Sequence, residues 1–177
     1  MNQKLVQLEA TPYMQIGATN KVKFTIEIVE ERLNIELPLE YKNILEYFNG
    51  NALSFEKGAR YIPDVRPSIV DNEGYLGLDF LYGVVANNAN IVFQNENYKE
   101  QLPSNLITIG EVLSGDQICI DKEDGSVVYW WHEALTSDEE TYKIAVDFTE
   151  FINKLEEEAT KPLGKSEVIE SESYLDF

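Results

Sequence analysis

Leu106-Ile-Thr-Ile-Gly110, Gly115-Asp-Gln-Ile-Cys-Ile-Asp121, Lys122-Glu-Asp-Gly-Ser126 and Val127-Val-Tyr-Trp-Trp-His132 form the stretch around which the chain is organised. Ile118 and Ile120 are two apart, the spacing that puts both side chains on one face of a strand. Residues 127–131 are an unbroken run of β-branched and aromatic side chains, as in a strand covered on both faces. Asp124-Gly125 between them is a turn signal, because glycine accepts the positive φ that hairpin loops need. The stretch predicts a hairpin of two central strands, with residues 106–109 as a third strand entering through Gly110 and Gly115.

Upstream, Thr25 is placed to cap a helix, and Ile26, Val29 and Leu33 mark one face of it at i, i+3 and i+7. Leu37-Pro38 closes that unit and opens another, since proline suits a first helical turn. Tyr41, Ile44, Leu45 and Phe48 are the apolar stripe of the second helix, and Asn49-Gly50 stops it. Residues 59–62 and 75–80 read as short strands, separated by Pro63, Pro67 and the turn Asp71-Asn72-Glu73-Gly74. Residues 87–100 read as a helix capped by Asn87 or Asn88, with Ile91 and Tyr98 facing inward. Residues 134–142 read as an acidic connection. Phe148, Phe151, Ile152 and Leu155 then fall on one helical face behind an Asp147 cap. Ile118, Ile120, Tyr129, Phe48 and Phe151 are expected to share one buried cluster.

This gives one domain over residues 23–158 with two flanks. Residues 1–22 are an N-terminal arm in which Leu5-Val6-Gln7-Leu8 is either a short strand or loosely held. Residues 159–177 are an acidic tail. From Glu156 onward there are seven acids against two lysines, and Pro162 and Gly164 oppose continued helix. The final Glu170-Ser-Glu-Ser-Tyr-Leu-Asp-Phe177 carries apolar residues suited to docking on the domain or a partner, fraying being the alternative.

At 177 residues the chain has room for a proper core, and a hydrophobic fraction of 44% argues against wholesale disorder. Fourteen basic against 32 acidic residues leave a net charge of −18. Such a field repels nucleic acid and anionic membrane and steers a basic partner inward, although acidity also serves solubility alone. A single cysteine, Cys119, leaves no intrachain disulfide and fits a reducing compartment. In mid-strand it reads as a buried, inert thiol. With no signal peptide, and no apolar run near the roughly 20 residues a membrane span needs, a cytoplasmic location is expected.

The search for chemistry returns little. His132 is the sole histidine, and Glu133, the carboxylate next to it in sequence, points to the other face of a strand. There is no histidine pair or cysteine cluster for a metal, and Asp121-Lys-Glu-Asp124-Gly125 lacks the alternating acids of a calcium loop. Phosphate-cradling and dinucleotide glycine motifs are absent. The expectation is a binding protein and no enzyme, with no cofactor and no metal.

The pattern Ile26-x-x-Val29-Glu30-x-x-Leu33-x-Ile35-x-Leu37-Pro38-x-x-Tyr41-x-x-x-Leu45-x-x-Phe48-Asn49-Gly50 resembles the N-terminal signature of the SUKH superfamily, the Smi/Knr-like proteins. Ile109-Gly110, the Gly115-Asp116-led strand and Val127-Val-Tyr-Trp-Trp-His-Glu133 resemble its later signature, and Asp147-Phe148-Thr-Glu-Phe151-Ile152 its closing helix. The resemblance implies an α+β domain, a mostly antiparallel sheet of about five or six strands flanked by helices. It also implies an immunity protein of a polymorphic toxin system, which binds and silences a cognate toxin domain, often a nuclease. A monomer that occludes a basic toxin by one-to-one binding is expected. The alternative is a regulatory interaction scaffold with no toxin. Candidate partner-binding residues are the acids and the aromatic near loops: Asp71, Glu73, Tyr75, Glu123, Asp124, Asp138, Glu139 and Glu140.

Overall fold

The structure, a computed structural model, describes residues 2–13, 23–63, 70, 73–112, 115–136 and 140–158. Two strands decide how its sheet is buried. β5 (Gln117–Asp121) and β6 (Val127–Trp130) pair antiparallel, with Ile118 opposite Tyr129 and Cys119 opposite Val128. Ile118, Ile120, Val127 and Tyr129 enter the main core, together with Phe48 and Phe151 as expected. Cys119, Val128 and Trp130 point the other way and form a smaller cluster with Leu106, covered by Tyr98 and Leu102. The unbroken apolar run of β6 therefore has a partner on each face.

The hairpin extends in both directions into one antiparallel sheet. β4 (Leu106–Glu111) joins β5, followed by β3 (Leu76–Leu81), β2 (Leu53–Tyr61) and β1 (Ala10–Pro12), while β7 (Thr141–Ala145) joins β6. The fold is α+β, with seven strands among the described residues rather than five or six. The additional strands are the two edges. β1 is only three residues long, too short for a readable alternation. β7 begins inside the acidic connection and exposes Thr141 and Lys143, burying only Ile144 and Ala145.

The arm also departs from expectation at Leu5-Val6-Gln7-Leu8. This is not a strand: α1 (Gln3–Gln7) runs through it, capped by the Asn2 side chain, which accepts from the Lys4 N–H at 2.9 Å. Leu5 and Leu8 are buried, and their spacing of three is helical. The short strand of this segment is Ala10–Pro12. The rest of the arm from residue 14, and the tail at 159–177, lie outside the described residues.

α2 (Ile26–Leu33) and α3 (Leu39–Tyr47) form as read. Thr25 caps the first, and the second stops at Asn49 and Gly50, both at positive φ. The buried Tyr41 hydroxyl donates to the Tyr82 carbonyl at 2.7 Å and ties α3 to the sheet. α4 (Ile91–Asn97) is shorter than residues 87–100, and its cap is Asn90, whose Oδ1 accepts from Val92 and Phe93. Asn87 is used instead in the preceding turn, accepting from Ala89. α5 (Phe148–Lys154) carries the Asp147 cap, which accepts from the Glu150 N–H at 2.7 Å. Among the described residues no helix is long and apolar enough to cross a membrane.

Candidate protein-binding surface

Strand register gives the sheet two ends. β4 and β5 meet at one end through Glu111 and Gln117 and at the other through Leu106 and Asp121. Phe80 pairs with Glu111, so the earlier residues of β3 run past the Glu111 end, with Tyr61 of β2 beside Leu76. Trp130 lies opposite Gln117, which puts the loop after β6 at the same end.

This register sorts the candidate residues. Glu123 and Asp124 close the β5–β6 turn at the Leu106 end. Asp124 accepts from the Ser126 N–H at 2.9 Å and from Lys143 Nζ at 2.9 Å. Those interactions hold its carboxyl well below the usual range, so it builds the turn and shares its charge with a lysine. The Glu123 side chain is exposed. Glu73, Tyr75 and Glu140 lie at the Glu111 end. The Arg60 guanidinium stacks 3.6 Å from the Tyr75 ring centroid and donates to Glu73 Oε2 at 3.0 Å. The Tyr75 hydroxyl donates to Glu156. Glu140 accepts from Trp130 Nε1 at 2.6 Å. Asp71, Asp138 and Glu139 lie outside the described residues.

The Glu111 end holds more carboxylates than the sequence singled out. Asp79 is pushed above the ordinary aspartate range by burial, then by the charges of Glu111 and Glu158. Glu111 accepts from the Tyr82 hydroxyl at 3.2 Å, and that hydroxyl also donates to Gln117 Oε1 at 2.8 Å. Behind this rim lies Asp116, buried at 7% exposure. Its Oδ2 accepts from the Tyr129 hydroxyl, and its Oδ1 accepts from the His132 N–H at 3.1 Å and meets His132 Nδ1 at 2.7 Å. Glu133, the carboxylate adjacent in sequence, stays 3.9 Å from His132 Nε2. The oriented partner of His132 is thus Asp116. Once the hairpin register is set by the Asp124-Gly125 turn, Asp116 falls opposite Trp131, and that was the available signal.

Chemically, this end offers charge and hydrogen-bond acceptors. Asp116 orients the imidazole, yet no hydroxyl or thiol hydrogen-bonds to His132 among the described residues. Burial pushes the Cys119 thiol far up, leaving it unreactive. No group of three or more potential metal ligands occurs among the described residues.

Comparison with known proteins bears on the whole arrangement. The model of the SMI1/KNR4 family (SUKH-1) matches residues 25–154, from the cap of α2 to the last residue of α5. The chain belongs to this family. Its SUKH-1 region holds β2 to β7 and most of the acidic end of the sheet, while α1 and β1 precede it and Glu156 and Glu158 follow it. The chain is also similar to the SPbeta prophage-derived uncharacterized protein YokK of Bacillus subtilis (strain 168). The two are 26% identical over 168 residues, covering 89% of this chain and 85% of that protein.

Proposed function

We propose that this chain is an immunity protein that works in the cytoplasm, binding one cognate toxin domain and blocking it by steric and electrostatic occlusion without chemistry of its own. The observation that carries this reading is the concentration of carboxylates at one end of the sheet. At this end Asp79 feels the charges of Glu111 and Glu158, Glu140 accepts from Trp130, Glu133 lies 3.9 Å from His132, and Glu73 pairs with Arg60 beside Tyr75, in a chain of net charge −18. Acids concentrated at one end of the sheet suit a basic partner such as a nuclease, whose substrate groove must itself attract phosphates. Membership of a family that includes immunity proteins supports it.

The test uses the toxin domain encoded beside this gene. Cells expressing that domain survive when this protein is co-expressed, and the purified pair binds one to one. Glu73→Gln with Glu133→Gln and Glu140→Gln weakens binding by about tenfold or more, while Glu123→Gln with Asp124→Asn at the opposite end changes it less than about threefold. If cells die equally with and without the protein, and no binding is seen at micromolar concentration, the immunity reading fails and an interaction scaffold takes its place.

A further inference from the structure

In so acidic a chain, cations have carboxylates at hand. Lys42, Lys57, Arg60, Lys143 and Lys154 each sit within salt-bridge distance of one. Lys4, Lys23, Arg32, Lys99 and Lys122 have no ion-pair partner among the described residues, and the last three line the same cleft. The cleft lies between α2, α4 and the start of β4, and its volume of about 530 Å³ is in the range of small-molecule sites. Leu33, Val92, Leu102, Leu106 and Ile107 give it an apolar wall. Glu96 also lines it, without an ion pair to any of the three cations.

The three cations are exposed and stand on separate segments, whose packing and backbone are braced. Arg32, on α2, stacks 4.9 Å from the Phe24 ring centroid, and Phe24 packs edge-on against Phe93 of α4. Asn95 braces α4 to β4: its Nδ2 donates to the Ile91 and Thr108 carbonyls, and its Oδ1 accepts from the Thr108 N–H. The Lys122 N–H donates to the Asn105 carbonyl at 2.8 Å, and Asn105 Nδ2 donates to Asp121. The walls of the cleft are therefore braced before any ligand arrives, while the exposed lysine side chains are ordered on binding. The field of the whole chain opposes anions. It is screened over about 8 Å at physiological salt, so charges within the cleft decide what enters.

We propose that this cleft binds an anionic small molecule with an apolar body, about the size of a mononucleotide. Its phosphate or carboxylate is held by Arg32, Lys99 and Lys122, and its body lies on the Leu33–Val92–Leu106 wall. The site is separate from the acidic end of the sheet, and its test needs no toxin.

Calorimetric titration of the full chain uses AMP and naphthyl phosphate as probes carrying both features, and adenosine and inorganic phosphate as probes carrying one each. At least one two-feature probe binds with a Kd below about 1 mM, and each one-feature probe is about tenfold weaker or worse. Arg32→Gln/Lys99→Gln/Lys122→Gln weakens the two-feature probe at least tenfold. Because Arg32 also packs on Phe24, Lys99→Gln/Lys122→Gln alone must still weaken it several-fold at an unchanged Tm. Lys4→Gln/Lys23→Gln, outside the cleft, leaves it unaltered. The proposal is overturned if neither two-feature probe binds, if inorganic phosphate binds as tightly as either, or if the triple variant binds like the parent.

Discussion

Asp116 shows how much one side chain can organise. A carboxylate buried to this degree is tolerated only when its lone pairs are filled, and here a tyrosine hydroxyl, a backbone N–H and an imidazole fill them. Asp116→Ala leaves the Tyr129 hydroxyl and the His132 N–H without their acceptor, and should cost about 2–4 kcal/mol in urea unfolding. Asp79 is the opposite case, a carboxylate that the fold makes less acidic. Its raised native pKa means that the native state holds the proton more tightly than the unfolded chain does. Stability from this group is present at low pH and is lost as pH rises from the ordinary aspartate value of 3.8 through the raised one. Asp79→Asn should remove that part of the pH dependence and raise the Tm at neutral pH by about 1–3 °C, read by thermal scans at several pH values. An unchanged slope between acid and neutral pH would show that the carboxyl is solvated after all.

At the scale of elements, α5 is the clearest wedge. Phe148, Phe151 and Ile152 are all nearly inaccessible, and Phe151 packs edge-on against Tyr61 of β2 with ring centroids 5.3 Å apart. Phe148 reaches Tyr41 of α3 at 5.0 Å, so one short helix joins the helical layer to the sheet. Seven residues of helix would not be stable alone in water, and its packing, not its propensity, holds it. Phe151→Ala should then cost about 3–5 kcal/mol by urea unfolding, the cavity adding to the lost transfer energy. A loss under about 1 kcal/mol would mean that the site collapses around the smaller side chain.

For the whole molecule the −18 charge and the local packing act on different rates. In the proposed complex with a basic toxin, long-range attraction would speed encounter and be screened by salt, whereas contact hydrogen bonds and packing would set how long the complex lasts. Raising salt from low to physiological levels and beyond should slow association by about tenfold while dissociation changes far less, measured by stopped flow. A dissociation rate that rises as steeply as association falls would instead mean that solvent-exposed ion pairs hold the complex together.

Much of this architecture is written locally. The helix pair α2–α3, its Asn and Gly stops, the β5–β6 hairpin and the stripe of α5 each follow from the spacing of residues a few positions apart. Periodicity and turn chemistry are local physics, and they act before any tertiary contact exists. The two edge strands were not legible in this way. β1 is too short, and β7 takes its place from pairing with β6, not from its own alternation. The partner of His132 was missed as well: Glu133, its neighbour in sequence, was read as pointing to the other face, and hairpin register delivered Asp116. Tertiary structure alone separated Glu123 and Asp124 from Glu73 and Glu140, and brought Arg32, Lys99 and Lys122 to one cleft. Charges have no periodicity of their own. Where they meet is decided by strand register and helix docking, which the buried apolar side chains determine.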